Sequence, residues 1–537
     1  MKVKIIVIAI ALCFSHSVFA KSQKEQQLSI EVIGQHQTGV FGAGAAEIVA
    51  HDAINQRIFK VNANAATIDV LDIRNPSEPT LIETIDITTF GAIANSVAVF
   101  NGIVAVAIEA DNKQDNGTVA FFDATSLVFI NSVQVGALPD MVTFTPNGQF
   151  LLVANEGEPN DDYTVDPDGS VSIINLKNGV SNATVKTADF QRFNGHEDKL
   201  RAKGIRIFGP NATTSQDLEP EYITVSKDSR YAWVSLQEAN ALAIIDIKKA
   251  RVISIKSLGV KNHMLSSNAL DVSDRDNKIN ITNWPVYGMY MPDSIASYSF
   301  KGRTYIVTAN EGDSRDYDGY SEEARVKDLT LDSELFPNAI ELQKDGNLGR
   351  LKTTLANGDI DGDGDVDEIY SYGARSFSIW TENGKQVYDS GSDFEMITAQ
   401  LDAANFNSTN DENGSFDNRS DDKGPEPEGL AIGTIKGRTY AFIGLERVGG
   451  IMVYDITNPR RVKYVDYINN RNFSVDTQLG DGSTNPEVGD LGPEGIQFIS
   501  AKNSPNNKPL LIVGNEISGT TTIYEINVDR KKHRYHH

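Results

Sequence analysis

Five aspartates alternate along residues 359–368, which read DIDGDGDVDE. Their spacing matches a D-x-D-x-D-G calcium loop at positions 1, 3, 5 and 6, with an apolar residue at position 8 and Asp at position 9. Position 12 is Tyr370, so Glu368 or another acid has to replace the usual bidentate glutamate. Carboxylates this close repel one another unless a cation binds them. We therefore predict a structural calcium site with the ligands Asp359, Asp361, Asp363, Asp365 and Asp367.

Other acidic residues recur beside short apolar runs, which we interpret as strands. One group opens the first run of a repeating unit: Glu47, Asp140, Glu221, Asp293, Glu428 and Glu494. A second group closes the run that follows: Glu156, Glu238, Glu311, Glu446 and Glu516. Carboxylates gathered in a confined space need a compensating cation, and ligation by oxygen alone favours Ca²⁺ or Mg²⁺. The alternative is that each acid caps a turn and accepts a bond from a backbone amide.

Arginines lie close to several of these acids in the sequence. Arg315 comes four residues after Glu311. Arg447 directly follows Glu446, and Arg375 precedes the third strand of the fifth unit. An arginine beside a carboxylate-bound cation is suited to an anionic ligand such as a phosphoester or a carboxylate. A local salt bridge to the neighbouring acid is the alternative for each arginine.

The strands that must position these residues are short and recur as a unit. Runs such as 150–154 (FLLVA) and 305–309 (YIVTA) are bounded by Gly, Asn, Asp or Pro. Seven similar units follow one another along the chain, which a two-sheet sandwich would not explain. We predict an all-β fold, a seven-bladed β-propeller with long loop insertions. Residues 21–529 form one domain in this prediction, with insertions near 177–216, 258–288, 312–374 and 381–424.

The propeller prediction brings the two acidic groups together. In a propeller blade the innermost strand begins, and the second strand ends, at the same face around a central channel. Both groups would then meet at one mouth of that channel. The fold therefore predicts an acidic, cation-binding mouth.

The composition limits the partners of the protein. The chain has 537 residues, with 49 Lys+Arg against 73 Asp+Glu and a formal net charge of −24 at pH 7. Nucleic acids and anionic membrane surfaces are bound by clustered basic residues, so we expect neither as a partner. A single cysteine, Cys13, excludes a disulfide framework and a zinc site built from cysteines.

The two ends of the chain carry distinct signals. Residues 1–20 combine a positive start, an apolar run and small residues at the end, which predicts a signal peptide cleaved after Ala20. No other stretch is long and apolar enough to be a transmembrane segment. Residues 530–537 form a basic tail. We expect a periplasmic or secreted protein.

Four motifs resemble those of the choice-of-anchor I family. They are ANEGEPND at 154–161, ANEGDSRDY at 309–317, GPEPEGL at 424–430 and LGPEGI at 491–496. This family consists of exported bacterial propellers related to mesenchyme-specific cell surface glycoproteins. Members often carry a C-terminal surface anchor, and its absence here implies a free periplasmic or secreted form. Some relatives are labelled alkaline phosphatase, and the Pro-Glu-Gly segments are similar to those of esterase-like and phytase-like propellers, which hold phosphate through calcium in an acidic mouth.

Two functional hypotheses follow. The first is a calcium-dependent phosphoesterase, a phosphoric monoester hydrolase that uses Ca²⁺ or another divalent cation. In it, Glu311, Glu428 and Glu494 serve as ligands or base, and Arg315 and Arg447 hold the anion. Further metal ligands would be Glu156, Glu221, Asp293, Glu446 and Glu516. The second is a non-catalytic binding or adhesion module for an extracellular macromolecule, in which calcium only stiffens loops.

Overall fold

The computed structural model describes residues 26–530, and β-strands dominate this part of the chain. The predicted signal peptide lies outside the described residues, as does the basic tail after Arg530. Most strands belong to seven four-stranded sheets, in which neighbouring strands are antiparallel. The prediction of an all-β fold is confirmed.

Sheets 1 to 4 each contain four consecutive strands. Sheet 1 consists of Val49–Asp52, Arg57–Asn62, Thr67–Asp72 and Thr80–Asp86. Sheet 2 consists of Ala94–Phe100, Ile103–Ile108, Asn116–Asp123 and Phe129–Ala137. Sheet 3 consists of Pro139–Phe144, Phe150–Asn155, Ser170–Asn175 and Thr184–Asp189. Sheet 4 consists of Pro220–Val225, Tyr231–Leu236, Ala241–Asp246 and Arg251–Ser257.

Sheets 5 to 7 complete the set. Sheet 5 consists of Ile295–Phe300, Arg303–Asn310, Ser376–Thr381 and Gln386–Asp389. Sheet 6 consists of Pro427–Ile435, Arg438–Leu445, Ile451–Asp455 and Lys463–Ile468. Sheet 7 consists of Pro493–Ile499, Leu510–Asn515, Thr520–Arg530 and, at its outer edge, Gln26–Gln37.

The first strands of the seven sheets contact one another in a closed ring, from sheet 1 to sheet 7 and back to sheet 1. A ring of four-stranded sheets around a channel is a β-propeller. Seven apolar clusters fill the spaces between neighbouring sheets, one cluster for each neighbouring pair. Because the second and third strands are largely buried on both faces, they have continuous apolar runs rather than an alternation.

Smaller elements lie in the insertions. Short strands pair outside the seven sheets: Val260–Asn262, Val286–Met289 and Ile369–Ser371, Asp316–Tyr317 with Tyr320–Ser321, and Glu323–Arg325 with Lys352–Thr354. The α-helices are Glu197–Arg201, Thr214–Asp217, Ala339–Leu342 and Asp393–Leu401. Across the described residues, no helix has the length and apolar character needed to cross a membrane.

Two predicted insertions begin too early. The span 177–216 contains the outer strand of sheet 3, Thr184–Asp189, and the span 381–424 contains the outer strand of sheet 5, Gln386–Asp389. Outer strands are largely exposed, so they carry no apolar run that marks them in the sequence. The insertions 258–288 and 312–374 instead share a small apolar core of their own, which includes Val272, Val286 and Leu348.

Candidate functional site

The acidic residues at the start of the inner strands are held by a repeated local structure. In sheets 3, 4, 6 and 7 the first strand begins with a proline, and the pairing register shifts between that proline and the residue three positions later. Proline is tolerated at the first residue of a strand, and a bulge redirects the side chains beside it. The acid after each proline is Asp140, Glu221, Glu428 or Glu494.

The glycine of the Pro-Glu-Gly motif has a packing reason. A Cβ on Gly429 would lie 2.0 Å from the backbone oxygen of Glu494 in the neighbouring sheet. A larger residue at this position would therefore push the first strands of sheets 6 and 7 apart. The motif thus combines a strand start, an acid and a close approach between two sheets.

Five of the predicted acids line one cavity at the mouth of the channel. The cavity has a volume of about 140 Å³, and its acidic lining residues are Asp140, Glu221, Asp293, Glu428 and Glu494. In sheet 2 the equivalent position is Asn95, which lines the same cavity. Residues Ile48, Met141 and Tyr222 line both this cavity and a cavity of about 610 Å³ along the inner strands, so the two are neighbours in the channel.

Several carboxyl oxygens at this mouth have no partner. Glu221 Oε2, Glu428 Oε2 and Glu494 Oε2 are buried and accept no hydrogen bond from any described residue. An unpaired buried polar atom costs about 1–3 kcal/mol, and more when the group is charged. These oxygens could therefore bind a cation.

Burial strongly affects the ionisation of the mouth. It is the largest cause that raises the pKa of Glu47 to about 8, with Glu516 and Asp140 adding like charge. Burial likewise raises the pKa values of Asp140 and Glu238 to about 7. The same cause raises the pKa values of the remaining acids: Glu156, Glu221, Asp293, Glu428, Glu446, Glu494 and Glu516. Without a cation, the mouth therefore holds protons near neutral pH.

Two groups of three carboxylates at the mouth have ligand oxygens within 4.8 Å of one another. The first group joins Asp293, Glu311 and Glu428, and the second joins Glu311, Glu426 and Glu446. Glu311 thus belongs to both groups. The first group contains only residues that the sequence marked as candidates, whereas Glu426 was not among them.

The second group already contains a positive charge. Lys423 Nζ lies 2.6 Å from Glu311 Oε1 and 3.2 Å from Glu426 Oε2. Arg419 and Arg447 also pair with Glu426, at 2.6 and 3.1 Å. Although burial alone would raise the pKa of Glu426, these three cations lower it to about 2. Lys423, Arg419 and Glu426 are therefore site residues that the sequence reasoning missed.

Of the two predicted anion-binding arginines, Arg447 remains at the mouth. Its guanidinium lies 3.1 Å from Glu446 Oε1, and its side chain is 28% exposed. The side chain is thus partly accessible to solvent, although its Nε already donates to Glu426 and its Nη1 to Asn410. Burial raises the pKa of Glu516, and the positive charge of Arg447 makes this rise smaller.

Arg315 has a different environment. Its side chain is 1% exposed and forms ion pairs with Asp217 and Glu219, and its guanidinium lies 4.6 Å from the ring of Phe208. These contacts connect the insertion 312–374 to the loop before sheet 4. Arg315 therefore fits the salt-bridge alternative and is not available to an anion at the mouth. Arg375 is likewise buried and pairs with Glu395.

The predicted calcium loop lies in the insertion 312–374. Oxygens of Asp359, Asp361 and Asp367 lie within 4.8 Å of one another, and so do those of Asp332, Asp365 and Asp367. Asp363 belongs to neither group, and its Oδ1 accepts a bond from the amide of Asp365 at 3.1 Å. Glu368 accepts a bond from the hydroxyl of Tyr370.

The loop backbone folds around its own carboxylates. The amides of Gly362 and Gly364 donate to Asp359 at 2.7 and 3.1 Å, and the amide of Ile360 donates to Asp367 Oδ2 at 2.7 Å. Both glycines have positive φ, which other residues rarely adopt. Asp332 was not identified from the sequence, because it comes from a separate segment.

Comparisons with known proteins agree with these motifs. The family model of the choice-of-anchor I domain matches residues 47–459. Gigasin-3a of Magallana gigas is 30% identical over 190 residues, which are 34% of this chain and 66% of that protein. The mesenchyme-specific cell surface glycoprotein of Strongylocentrotus purpuratus is 27% identical over 324 residues, which are 52% of this chain and 41% of that protein. The chain thus spans less than two thirds of the length of either relative.

Solved structures give distant matches. Hydrazine synthase of Kuenenia stuttgartiensis aligns with 12% identity and a TM-score of 0.45, over 92% of this chain and 97% of the other. The family assignment depends instead on the family model, which covers most of the seven sheets. This chain belongs to the choice-of-anchor I family.

Proposed function

We propose that this protein is an exported, seven-bladed propeller that binds a divalent cation, Ca²⁺ in the first place, at its acidic mouth. One observation carries the proposal: Glu221, Glu428 and Glu494 each have a buried carboxyl oxygen without a hydrogen-bond partner among the described residues. These oxygens belong to residues that line one small cavity. Oxygen ligands without nitrogen or sulfur favour Ca²⁺ over transition metals.

The location outside the cytoplasm is part of this proposal. The predicted signal peptide supports it, and so does the name of the sea urchin relative, which describes a cell surface glycoprotein. We treat residues 21–529 as one propeller domain. Each of the seven sheets counts as one blade, and the N-terminal strand Gln26–Gln37 completes the last blade.

Hydrolysis of a phosphate monoester is the activity that we propose for the mouth. A cation held by Asp293, Glu311 and Glu428 would polarise a phosphoryl oxygen and lower the pKa of a bound water. Arg447, which is partly exposed, is positioned to bind the remaining phosphate oxygens. Glu494, whose pKa is raised by burial, is the candidate general base.

The other predicted ligands have supporting roles in this proposal. Glu221 faces the same cavity and can complete the oxygen shell of the cation. Glu156, Glu446 and Glu516 come from the ends of the second strands and add negative charge around the mouth. Arg315 has no part in it, because its guanidinium is buried against Asp217 and Glu219.

A non-catalytic binding module is the second candidate. The mouth cavity of about 140 Å³ is smaller than the pockets of about 300 Å³ or more that enclose small organic ligands. An ester would therefore bind above the mouth rather than inside it. In this candidate the cation stiffens the mouth, and the insertions present a surface to an extracellular macromolecule.

One set of measurements separates these candidates. The chain without residues 1–20 is stripped with a chelator, and binding of Ca²⁺, Mg²⁺ and Mn²⁺ is followed by calorimetry. Release of p-nitrophenol from its phosphate ester is then measured with each ion across the pH range from acidic to alkaline. The variant E428Q should lose the mouth cation and any hydrolysis, whereas E334Q, at an exposed glutamate, should retain both.

The outcomes are distinct. Cation binding that depends on Glu428, together with ester hydrolysis, supports the phosphoesterase. Cation binding without turnover under any of these conditions leaves the binding module. If E428Q and wild type bind the same number of ions, the cation site at the mouth is refuted.

A further inference from the structure

A second buried acidic cluster lies away from the mouth, between two insertion segments. One segment contributes Asp271 and Asp276, and the other contributes Asp417 together with Asn407. Glu395 of the helix Asp393–Leu401 lies between them. Asp417 is 2% exposed and Asn407 is fully buried. Neither the calcium loop nor the acidic mouth includes any of these residues.

Three oxygens in this cluster have no hydrogen-bond partner among the described residues: Asn407 Oδ1, Asp417 Oδ2 and Asp276 Oδ2. Lys278 is an ion-pair partner of Asp276; its Nζ lies 3.7 Å from Asp276 Oδ2, and its side chain is 60% exposed. This distance is too long for a hydrogen bond. Buried polar atoms without a hydrogen-bond partner are rare in folded proteins, so three of them in one cluster require an explanation, and a bound ligand supplies one.

The orientation of the Asn407 amide is determined by its neighbours. Asn407 Nδ2 donates to Glu395 Oε1 at 3.0 Å and to Ser420 Oγ at 2.9 Å. Ser420 Oγ in turn donates to Asp417 Oδ1 at 2.5 Å. Rotating the amide by 180° would place Oδ1 against the carboxylate of Glu395, which is unfavourable. The amide oxygen of Asn407 therefore stays without a donor among the described residues, and its amide nitrogen is linked to Asp417 through Ser420.

The charges of the cluster do not balance. Four carboxylates belong to this cluster, and Arg375 compensates one of them, Glu395, at 2.7 Å. Lys278 is a distant, exposed partner for Asp276. Asp271, Asp276 and Glu395 each add like charge at Asp417. Burial raises the pKa of Asp271 to about 6, even though the amides of Asn280 and Ser273 donate to it.

We propose that Asn407 Oδ1, Asp417 Oδ2 and Asp276 Oδ2 are ligands of a buried Ca²⁺ ion. Carboxylate and amide oxygens are the side-chain ligands that Ca²⁺ takes, and no nitrogen or sulfur ligand stands among these residues. The ion would satisfy the three unpaired oxygens and supply the missing positive charge. This site is independent of the proposed activity at the mouth.

The position of the site gives the ion a structural role. The segment that carries Asn407 and Asp417 continues directly into Lys423 and Glu426, which pair at the mouth. An ion between this segment and Asp276 would hold the approach to the mouth against the small core of the insertions. The competing account is that Asp417 is protonated, or that a trapped water bridges the unpaired oxygens.

The variant D417N tests the site in the chain without residues 1–20. It removes one negative charge and keeps the shape of the side chain. After chelation, Ca²⁺ alone is added back, and the bound ions are counted by native mass spectrometry. We expect D417N to bind one ion fewer than wild type, or to bind that ion with an affinity lowered at least about tenfold. The control D198N changes an aspartate whose side chain is fully exposed, and it should match wild type.

Thermal unfolding gives a second readout, because the difference in unfolding temperature between D417N and wild type should change sign when Ca²⁺ is removed. With Ca²⁺ present, D417N should unfold at a lower temperature than wild type, because a ligand of the ion is lost. Without Ca²⁺, D417N should unfold at the same or a higher temperature, because a buried unpaired carboxylate is removed. A protonated Asp417 or a trapped water predicts the same difference in both buffers and an unchanged ion count, and this result would overturn the proposal.

A further variant keeps the test decisive if D417N does not fold. D276N alters the ligand at the edge of the cluster and should give the same loss of one ion and the same change of sign. Its effect on the ion count should add to that of E428Q. An E428Q variant with the wild-type count would refute the mouth site alone, and a D276N variant with that count would refute the buried site alone.

Discussion

Replacing Lys423 by methionine should make the stability of the protein depend on a bound cation, because it removes the positive charge between Glu311 and Glu426. Methionine keeps most of the length of the side chain but removes the ammonium that pairs with Glu311 and Glu426. Breaking a buried ion pair by removing one partner costs about 3–5 kcal/mol. The lower end of this range applies, because Arg419 and Arg447 still pair with Glu426. We therefore expect K423M to lose about 3 kcal/mol of unfolding free energy without calcium.

Calcium should reverse most of this loss. The oxygens of Glu311, Glu426 and Glu446 lie within 4.8 Å of one another, so the position vacated by the ammonium suits a divalent cation. A ligand at one hundred times its Kd stabilises the folded state by about 2.7 kcal/mol. K423M in excess Ca²⁺ should therefore approach the stability of wild type and bind one additional ion.

The assay is urea unfolding followed by tryptophan fluorescence, with and without Ca²⁺, together with an ion count by native mass spectrometry. K203M, at an exposed lysine, controls for the loss of a positive charge and should behave as wild type in both buffers. An equal loss of stability in both buffers, with no additional ion, would refute the view that Lys423 occupies a cation position.

Three further predictions concern ionisation, the calcium loop and Arg315. Without Ca²⁺, the raised pKa values of Glu47, Asp140 and Glu238 mean that the contribution of these groups to stability is full below about pH 4.5 and is lost as the pH rises towards 8. Excess Ca²⁺ should reduce the resulting decline in unfolding temperature. D367N should lose more calcium from the loop than D363N, because Asp367 belongs to both carboxylate groups there; equal ion counts would contradict this. R315M should lose about 3–5 kcal/mol of unfolding free energy with no change in cation binding at the mouth. Unchanged stability with a loss of ester hydrolysis would return Arg315 to an anion-binding role.

The inner part of the propeller could be predicted because its sequence signals repeat. The second and third strands of the sheets are largely buried on both faces, so short apolar runs such as 151–153 mark them. The Pro-Glu-Gly motif marks two of the acids at the mouth, Glu428 and Glu494, since the bulge after proline recurs and Gly429 and Gly495 both lie close to a neighbouring sheet. The outer strand Thr184–Asp189 was missed because it is exposed and carries no such run.

The partners of the charged groups could not be predicted, because they come from insertions that do not repeat. Arg315 is 98 residues from Asp217 in the sequence, and nothing local indicates that they meet. Lys423 and Glu426 lie at the end of an insertion, where charged residues are usually interpreted as part of a solvent-exposed loop. In the same way, Asp332 joins the calcium loop only through the folded insertion.

The pairing of Gln26–Gln37 with Thr520–Arg530 determines the order in which the propeller can be completed. The last sheet needs strands from both ends of the described chain, so it cannot form until residues near 530 have been synthesised. If the chain crosses a membrane starting from its N-terminus, the strand Gln26–Gln37 therefore stays unpaired until the strand Thr520–Arg530 has also crossed. Contacts between such distant residues form slowly, since a very long loop has to close first. Final closure of the ring, together with the alignment of sheet 7 beside sheet 1, is thus confined to the compartment in which the whole chain has arrived.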